Sequence, residues 1–175
     1  MRKAVFLDRD GTLMVDKAFV ADPKDVELMP TVVEGLRALT EAGFAKIVVS
    51  NQSGVARGYF RADAVARVHA ELQAQLRVRG VDLDAFYFCP HYDEGCECRK
   101  PAPGMIERAA REHGLDVRRS AVVGDREADI RLANALGLPG VLVSSTIYPY
   151  HGPEPAYRAR SFSDAASWII AHVGR

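Results

Sequence analysis

Five short apolar runs, each stopped abruptly by polar residues or glycine, punctuate the chain: Lys3-Ala4-Val5-Phe6-Leu7, Lys46-Ile47-Val48-Val49-Ser50, Ala85-Phe86-Tyr87-Phe88-Cys89, Ala121-Val122-Val123-Gly124 and Gly140-Val141-Leu142-Val143. Continuous apolar runs of this length are what strands covered on both faces of a parallel sheet require. Most of the segments between them carry a helical period instead. Pro30 to Ala42 opens with proline near a first helical position, places Val33, Leu36 and Leu39 or Thr40 along one side, and stops near Gly43. Ala62 to Arg79 spaces Val65, Val68, Leu72 and Leu76 by three and four residues. Pro103 to His113 and Ala128 to Leu136 are each followed by glycine, and a last helix is expected from Ser163 to about Val173, with Asp164 in its first turn. Parallel strands need helical crossovers, so the alternation predicts an α/β, Rossmann-like three-layer sandwich with a mainly parallel sheet.

In such folds ligands bind outside the carboxyl ends of the strands. Four polar clusters fall there. Asp8-Arg9-Asp10-Gly11-Thr12 follows the first strand, Ser50-Asn51-Gln52 the second and Gly124-Asp125-Arg126-Glu127-Ala128-Asp129 the fourth, while Arg99-Lys100 precedes the Pro103 helix. Two carboxylates at i and i+2 repel unless a cation lies between them or one is protonated, and Asp125 offers a further hard oxygen. An all-oxygen site of this kind suits Mg²⁺. Lys100 and the Ser50 hydroxyl would then face an anionic oxygen, Asp8 could attack phosphorus, and Asp10 could protonate the leaving alcohol. The rival is an ordinary Asp-Gly turn capped by Asp8 and Asp10.

The 175 residues predict one domain spanning 1–175. Lys plus Arg and Asp plus Glu each number 23, so no global field draws the chain to nucleic acid or membrane, and any anion binding must be local. The apolar run after Met1-Arg2-Lys3 is too short for a secretion signal. The charge-free run from Leu132 to Pro153 is interrupted by Gly137, Pro139, Gly140 and Pro149 and reads as a strand and a loop. A cytoplasmic monomer acting on a phosphorylated small molecule is the expectation, with reduced thiols.

All three cysteines lie in CPHYDEGCEC. Cys89 and His91 are two apart, as are Cys96 and Cys98, so each pair can point one way in extended backbone, with the YDEG turn bringing the pairs together. Cys₃His is a saturated zinc donor set, structural rather than catalytic. A disulfide between neighbours is geometrically poor and leaves one thiol over; free thiols are the remaining reading.

DRDGT at 8–12, SNQ at 50–52, RKP at 99–101 and GDREAD at 124–129 together resemble the four ordered motifs of the haloacid dehalogenase superfamily. The resemblance implies Asp8 as nucleophile and Asp10 as general acid and base, which marks the phosphatase branch. It implies Mg²⁺ bound by Asp8, the Asp10 carbonyl and Asp125, and the phosphoryl group held by Ser50 and Lys100. Neither interval between motifs has room for a cap domain, so the site is expected to be capless, with rim loops at 14–24, 51–60 and 89–100 choosing the substrate.

The zinc loop narrows the resemblance to the capless histidinol-phosphatase and heptose-bisphosphate-phosphatase group. VDKAFV, NQSGVARGYF and PAPGM look like the heptose enzymes, whereas the compact His91–Cys96 spacing and Arg126 are closer to the histidinol enzymes. Removal of the 7-phosphate of D-glycero-D-manno-heptose 1,7-bisphosphate is the favoured implication, because a remote phosphate needs cations such as Arg57 and Arg99. Histidinol-phosphate hydrolysis is the alternative, and a non-catalytic phosphate-binding or zinc-organised interaction module the remote one. The implied substrate contacts are Asp16, Lys17, Ala18, Phe19, Ser50, Asn51, Gln52, Ser53, Arg57, Arg99, Lys100 and Arg126. His69, His113, Trp168 and His151 receive no functional role.

Overall fold

The computed structural model describes residues 1–92, 95–144 and 148–174. Asp93 and Glu94 of the expected YDEG turn, and residues 145–147 of the expected loop, lie outside them. Six strands form one sheet: β1 (Ala4–Leu7), β2 (Ala45–Asn51), β3 (Ala85–Cys89), β4 (Ala121–Gly124), β5 (Gly140–Val143) and β6 (Tyr157–Ala159). Every pairing is parallel, in the order β3-β2-β1-β4-β5-β6. The helices are α1 (Val32–Glu41), α2 (Ala62–Val78), α3 (Gly104–His113), α4 (Glu127–Ala135) and α5 (Phe162–His172).

Period-2 alternation along the strands sorts their side chains onto two faces. Val5, Leu7, Val48 and Val123 pack with Leu36 of α1, Leu72 of α2 and Ile169 of α5. Phe6, Ile47, Val49 and Val122 pack with Ile106 of α3 and Leu132 of α4. The result is three layers, with helices covering both faces of the apolar strands.

Three local features depart from expectation. β6 was not anticipated: three residues beyond a Pro-rich loop give almost no alternation to recognise. α5 starts at Phe162 rather than Ser163, because the Ser161 hydroxyl accepts from Asp164 N and caps the first turn. α1 starts at Val32, since Thr31 takes a left-handed conformation (φ 63°). Among the described residues no further domain intervenes between β1 and β2 or between β2 and β3, which leaves the carboxyl edge of the sheet without a cap.

Candidate active site

The strand order runs outward in both directions from β1 and β4, so a crevice forms above these two neighbours. A cavity of about 540 Å³ occupies it. Asp8 leaves β1 with its N–H donating to Val123 O at 2.9 Å, which ties the start of the loop to β4. Asp125 follows β4 directly, and Asp129 sits in the first turn of α4.

Carboxylate oxygens of Asp8, Asp125 and Asp129 lie within 4.8 Å of one another, and all three residues are buried. Glycines make the approach possible. A Cβ on Gly11, whose φ of +81° already disfavours other residues, would lie 2.3 Å from Asp125 Oδ2, and one on Gly124 would lie 2.2 Å from Asp129 Cγ. Lys100 Nζ spans the group, 2.7 Å from Asp8 Oδ1 and 2.6 Å from Asp129 Oδ1. Asn51 fixes that lysine's backbone: its Oδ1 accepts from Lys100 N at 3.0 Å and its Nδ2 donates to Lys100 O at 3.1 Å.

Were all three carboxylates ionised, the single ammonium would leave two negative charges uncompensated. Burial pushes Asp125 up to about 8, with Asp8 and Asp129 adding repulsion. Asp8 is also raised, by burial first, against the opposing pull of Lys100. Both Asp125 oxygens are buried with no hydrogen-bond partner among the described residues, and Arg126 Nε approaches only to 4.0 Å. Orphaned buried carboxylate oxygens facing two further carboxylates form a donor set for a hard divalent cation.

The Asp10 carboxylate does not join this group. It is held aside by Arg9 and by Gln52. Asp129 has no role in the sequence reading; the available signal is a third acidic residue in the GDREAD segment, placed by the Arg126 N-cap in the first turn of α4.

Ten of the twelve expected substrate contacts line the cavity: Asp16, Ala18, Phe19, Asn51, Gln52, Ser53, Arg57, Arg99, Lys100 and Arg126. Two do not. Lys17 is drawn away to Glu27 (3.1 Å), and Ser50 is buried at the end of β2 with its hydroxyl accepting from Gln52 Nε2 at 2.6 Å. Asp16 organises the rim: its Oδ1 accepts from Ala18 N at 2.9 Å and its Oδ2 from Arg126 at 2.6 Å, while Ala18 and Phe19 are both left-handed. Arg57 lies 3.6 Å over the Tyr92 ring, and Arg126 lies 3.8 Å over Tyr148. A wall from Tyr148 to His151 was not anticipated; it comes from the proline-rich loop to which no role had been given.

The sulfur and nitrogen donors converge separately. Cys98 Sγ is 3.0 Å from Cys89 Sγ and 3.6 Å from Cys96 Sγ, and His91 Nδ1 is 3.3 Å from Cys98 Sγ and 3.5 Å from Cys89 Sγ. That tetrahedral grouping of four soft or borderline donors suits Zn²⁺. Arg99 Nη1 donates to His91 O at 3.1 Å, so the cluster also anchors a rim cation.

A protein from Pasteurella multocida named D-glycero-beta-D-manno-heptose-1,7-bisphosphate 7-phosphatase is 38% identical to this chain over 156 residues, covering 85% of each. The HAD-hydrolase-like family profile matches residues 97–165. The chain belongs to the haloacid dehalogenase-like hydrolases. Its membership explains why four clusters far apart in sequence meet at one sheet edge. Within the haloacid dehalogenase-like family, a Thermosynechococcus vestitus protein named D-glycero-D-manno-heptose-1,7-bisphosphate 7-phosphatase is 38% identical, covering 98% of this chain and 97% of that protein. The crystal structure of D,D-heptose 1,7-bisphosphate phosphatase from B. bronchiseptica, complexed with magnesium and phosphate, superposes with a TM-score of 0.86 at 31% identity, covering 98% and 99% of the two chains. These relatives are named phosphatases, and with them the chain is a phosphatase of that family. No described helix is long and apolar enough to cross a membrane.

Proposed function

We propose that this phosphatase removes the 7-phosphate of D-glycero-D-manno-heptose 1,7-bisphosphate. The observation that carries the chemistry is the buried Asp8–Lys100–Asp129 bridge beside Asp125, with the Asp10 carboxylate on the same cavity wall. A carboxylate oxygen of Asp8 bonds to phosphorus as the ester P–O bond breaks, and Asp10 gives its proton to the departing alcohol. Asp10 then takes a proton from water, whose oxygen bonds to phosphorus and frees Asp8 and inorganic phosphate. Lys100 balances charge at the phosphoryl oxygens. Asp8, the Asp10 carbonyl and Asp125, with Asp129 beside them, would hold Mg²⁺, which supplies neutralisation of the charge that develops on the phosphoryl group.

Relatives named for heptose bisphosphates direct the choice of substrate, and the rim agrees. Arg57, Arg99 and Arg126 suit a second phosphate, whereas histidinol phosphate would bring a cationic amine towards three guanidinium groups. Phosphate release from both anomers of heptose 1,7-bisphosphate and from histidinol phosphate, with Mg²⁺ and with EDTA, tests the proposal, with ³¹P NMR showing which ester is lost. Cleavage at the 7-position, about tenfold or more faster in kcat/KM than for histidinol phosphate, is expected. Faster cleavage of histidinol phosphate would overturn the substrate, and no turnover of any phosphomonoester would overturn the mechanism.

Metal binding should show in stability. Between its ordinary value of 3.8 and about 8, Asp125 keeps a proton in the metal-free folded state that the unfolded chain has released. Stability contributed by this group therefore falls as pH rises through that window. Adding Mg²⁺ should raise Tm more at pH 8 than at pH 5, and Asp125→Asn should remove the difference; an equal Mg²⁺ effect at both pH values would contradict the assignment.

At the second cluster about one equivalent of zinc per chain is expected by elemental analysis. Cys98→Ser should lower that content and raise KM through the loosened His91–Arg99 contact. Full zinc content with unchanged kinetics would show that the loop is held by other means.

A further inference from the structure

Arg9 lies between the two aspartates of DRDGT and is fully buried, although it carries a charge. Its backbone carbonyl closes the turn, accepting from Leu13 N at 3.0 Å and Met14 N at 3.1 Å. Its guanidinium grips Asp10 side-on: Nε donates to Oδ2 and Nη2 to Oδ1, each at 3.0 Å. Nη2 also donates to Gln52 Oε1 at 3.1 Å, and Gln52 Nε2 returns a hydrogen bond to Asp10 Oδ2 at 2.9 Å. Asp10 is the only ion-pair partner of Arg9 among the described residues. On another side lies His69, stacked on Phe86 at 4.8 Å. Burial, with the Arg9 charge second, pushes His69 down to about 3, so this neighbour is neutral and does not compete for Asp10.

A carboxylate has about four lone-pair sites. Two on Oδ2 are taken, by Arg9 Nε and Gln52 Nε2, and one on Oδ1 by Arg9 Nη2. We propose that Arg9, assisted by Gln52, is the positioning residue for Asp10, fixing its carboxyl so that the lone pair left on Oδ1 carries the proton exchanged with the leaving alcohol and then with water. This rests on the proposed phosphatase activity and adds to it a reason for the residue between the two aspartates. Asp10 is partly exposed, at 18% of its side chain. Without the planar two-point grip it would sample several rotamers, and misplacement of a reacting group by about 1 Å is enough to slow a reaction about 10²-fold.

The test is a ratio. An alkyl phosphomonoester such as the heptose 7-phosphate needs its leaving oxygen protonated, whereas p-nitrophenyl phosphate releases a phenolate that does not. Both share the phosphoryl group, so effects on phosphate binding cancel when kcat/KM for one is divided by that for the other. Asp10→Asn calibrates the signature. Arg9→Met should lower the alkyl-to-aryl ratio about tenfold or more. Arg9→Lys, which keeps the charge but not the fork, should fall between Arg9→Met and wild type. Gln52→Met provides a second, smaller shift in the same sense should Arg9→Met fail to fold.

Equal losses on both esters in Arg9→Met, or in Gln52→Met where that is the readable variant, would make the role merely structural and overturn the proposal. Wild-type protein inactive on both esters would instead remove the phosphatase mechanism itself.

Discussion

Asp8→Asn should lower phosphate release roughly 10⁴-fold or more, because an amide has no free carboxylate to bond to phosphorus. The variant should nevertheless fold at least as well as metal-free wild type. Replacing Asp8 takes one carboxylate out of the Asp8, Asp125, Asp129 group and relieves its repulsion of Asp125, while Lys100 retains Asp129 at 2.6 Å. Relief of like-charge repulsion in a buried site favours the folded state. The expected pair of results is therefore loss of turnover, measured as phosphate release, with an unchanged or higher Tm in EDTA. Activity within about tenfold of wild type would rule Asp8 out as nucleophile, and a collapsed Tm would leave the rate loss explained by unfolding instead.

The parts of this arrangement legible in the sequence are those with short-range signatures. The five apolar runs marked five of the six strands because a strand buried on two faces must be apolar throughout, and the ends of those runs placed Asp8, Ser50 and Asp125 correctly at one sheet edge. Side-chain direction beyond the strand ends was less legible. Arg9 follows β1 by two residues, and nothing in the local pattern announces that a turn closed on its own carbonyl folds this cation into the interior. Asp129 enters the site only because Gly124 has no Cβ where the carboxyl lies. Lys17 sits next to a genuine rim residue, Asp16, yet finds Glu27 across the loop, a pairing between positions ten apart that no periodicity reports.

Such misses share a cause. Helical and strand periods fix which face an apolar residue takes, whereas a polar side chain goes to whichever partner the tertiary fold presents. Lys100 shows the successful case: RKP placed it before α3, and the Asn51 side chain, bonded to both its N–H and its carbonyl, delivers it across the sheet edge to Asp8 and Asp129.

Lys100→Met should separate two roles that the lysine combines. The ammonium is buried, and its two carboxylate partners outweigh the burial that would otherwise favour its neutral form, so it is held protonated. Removing it leaves Asp8 and Asp129 buried without their shared cation. Breaking a buried pair in this way costs about 3–5 kcal/mol, and metal-free variant should lose Tm accordingly. The same loss makes the group one charge more negative, which strengthens its attraction for a divalent cation. Mg²⁺ should thus bind Lys100→Met more tightly than wild type and restore much of its Tm. Turnover should not follow. With the phosphoryl oxygens deprived of a fixed positive donor, kcat/KM at saturating Mg²⁺ should fall about 10²–10³-fold. Calorimetric titration with Mg²⁺ beside steady-state kinetics reads both quantities on one sample. Weaker Mg²⁺ binding would mean that Lys100 supports the carboxylate group mainly by holding its geometry, and full turnover with tight Mg²⁺ would remove Lys100 from the phosphoryl site.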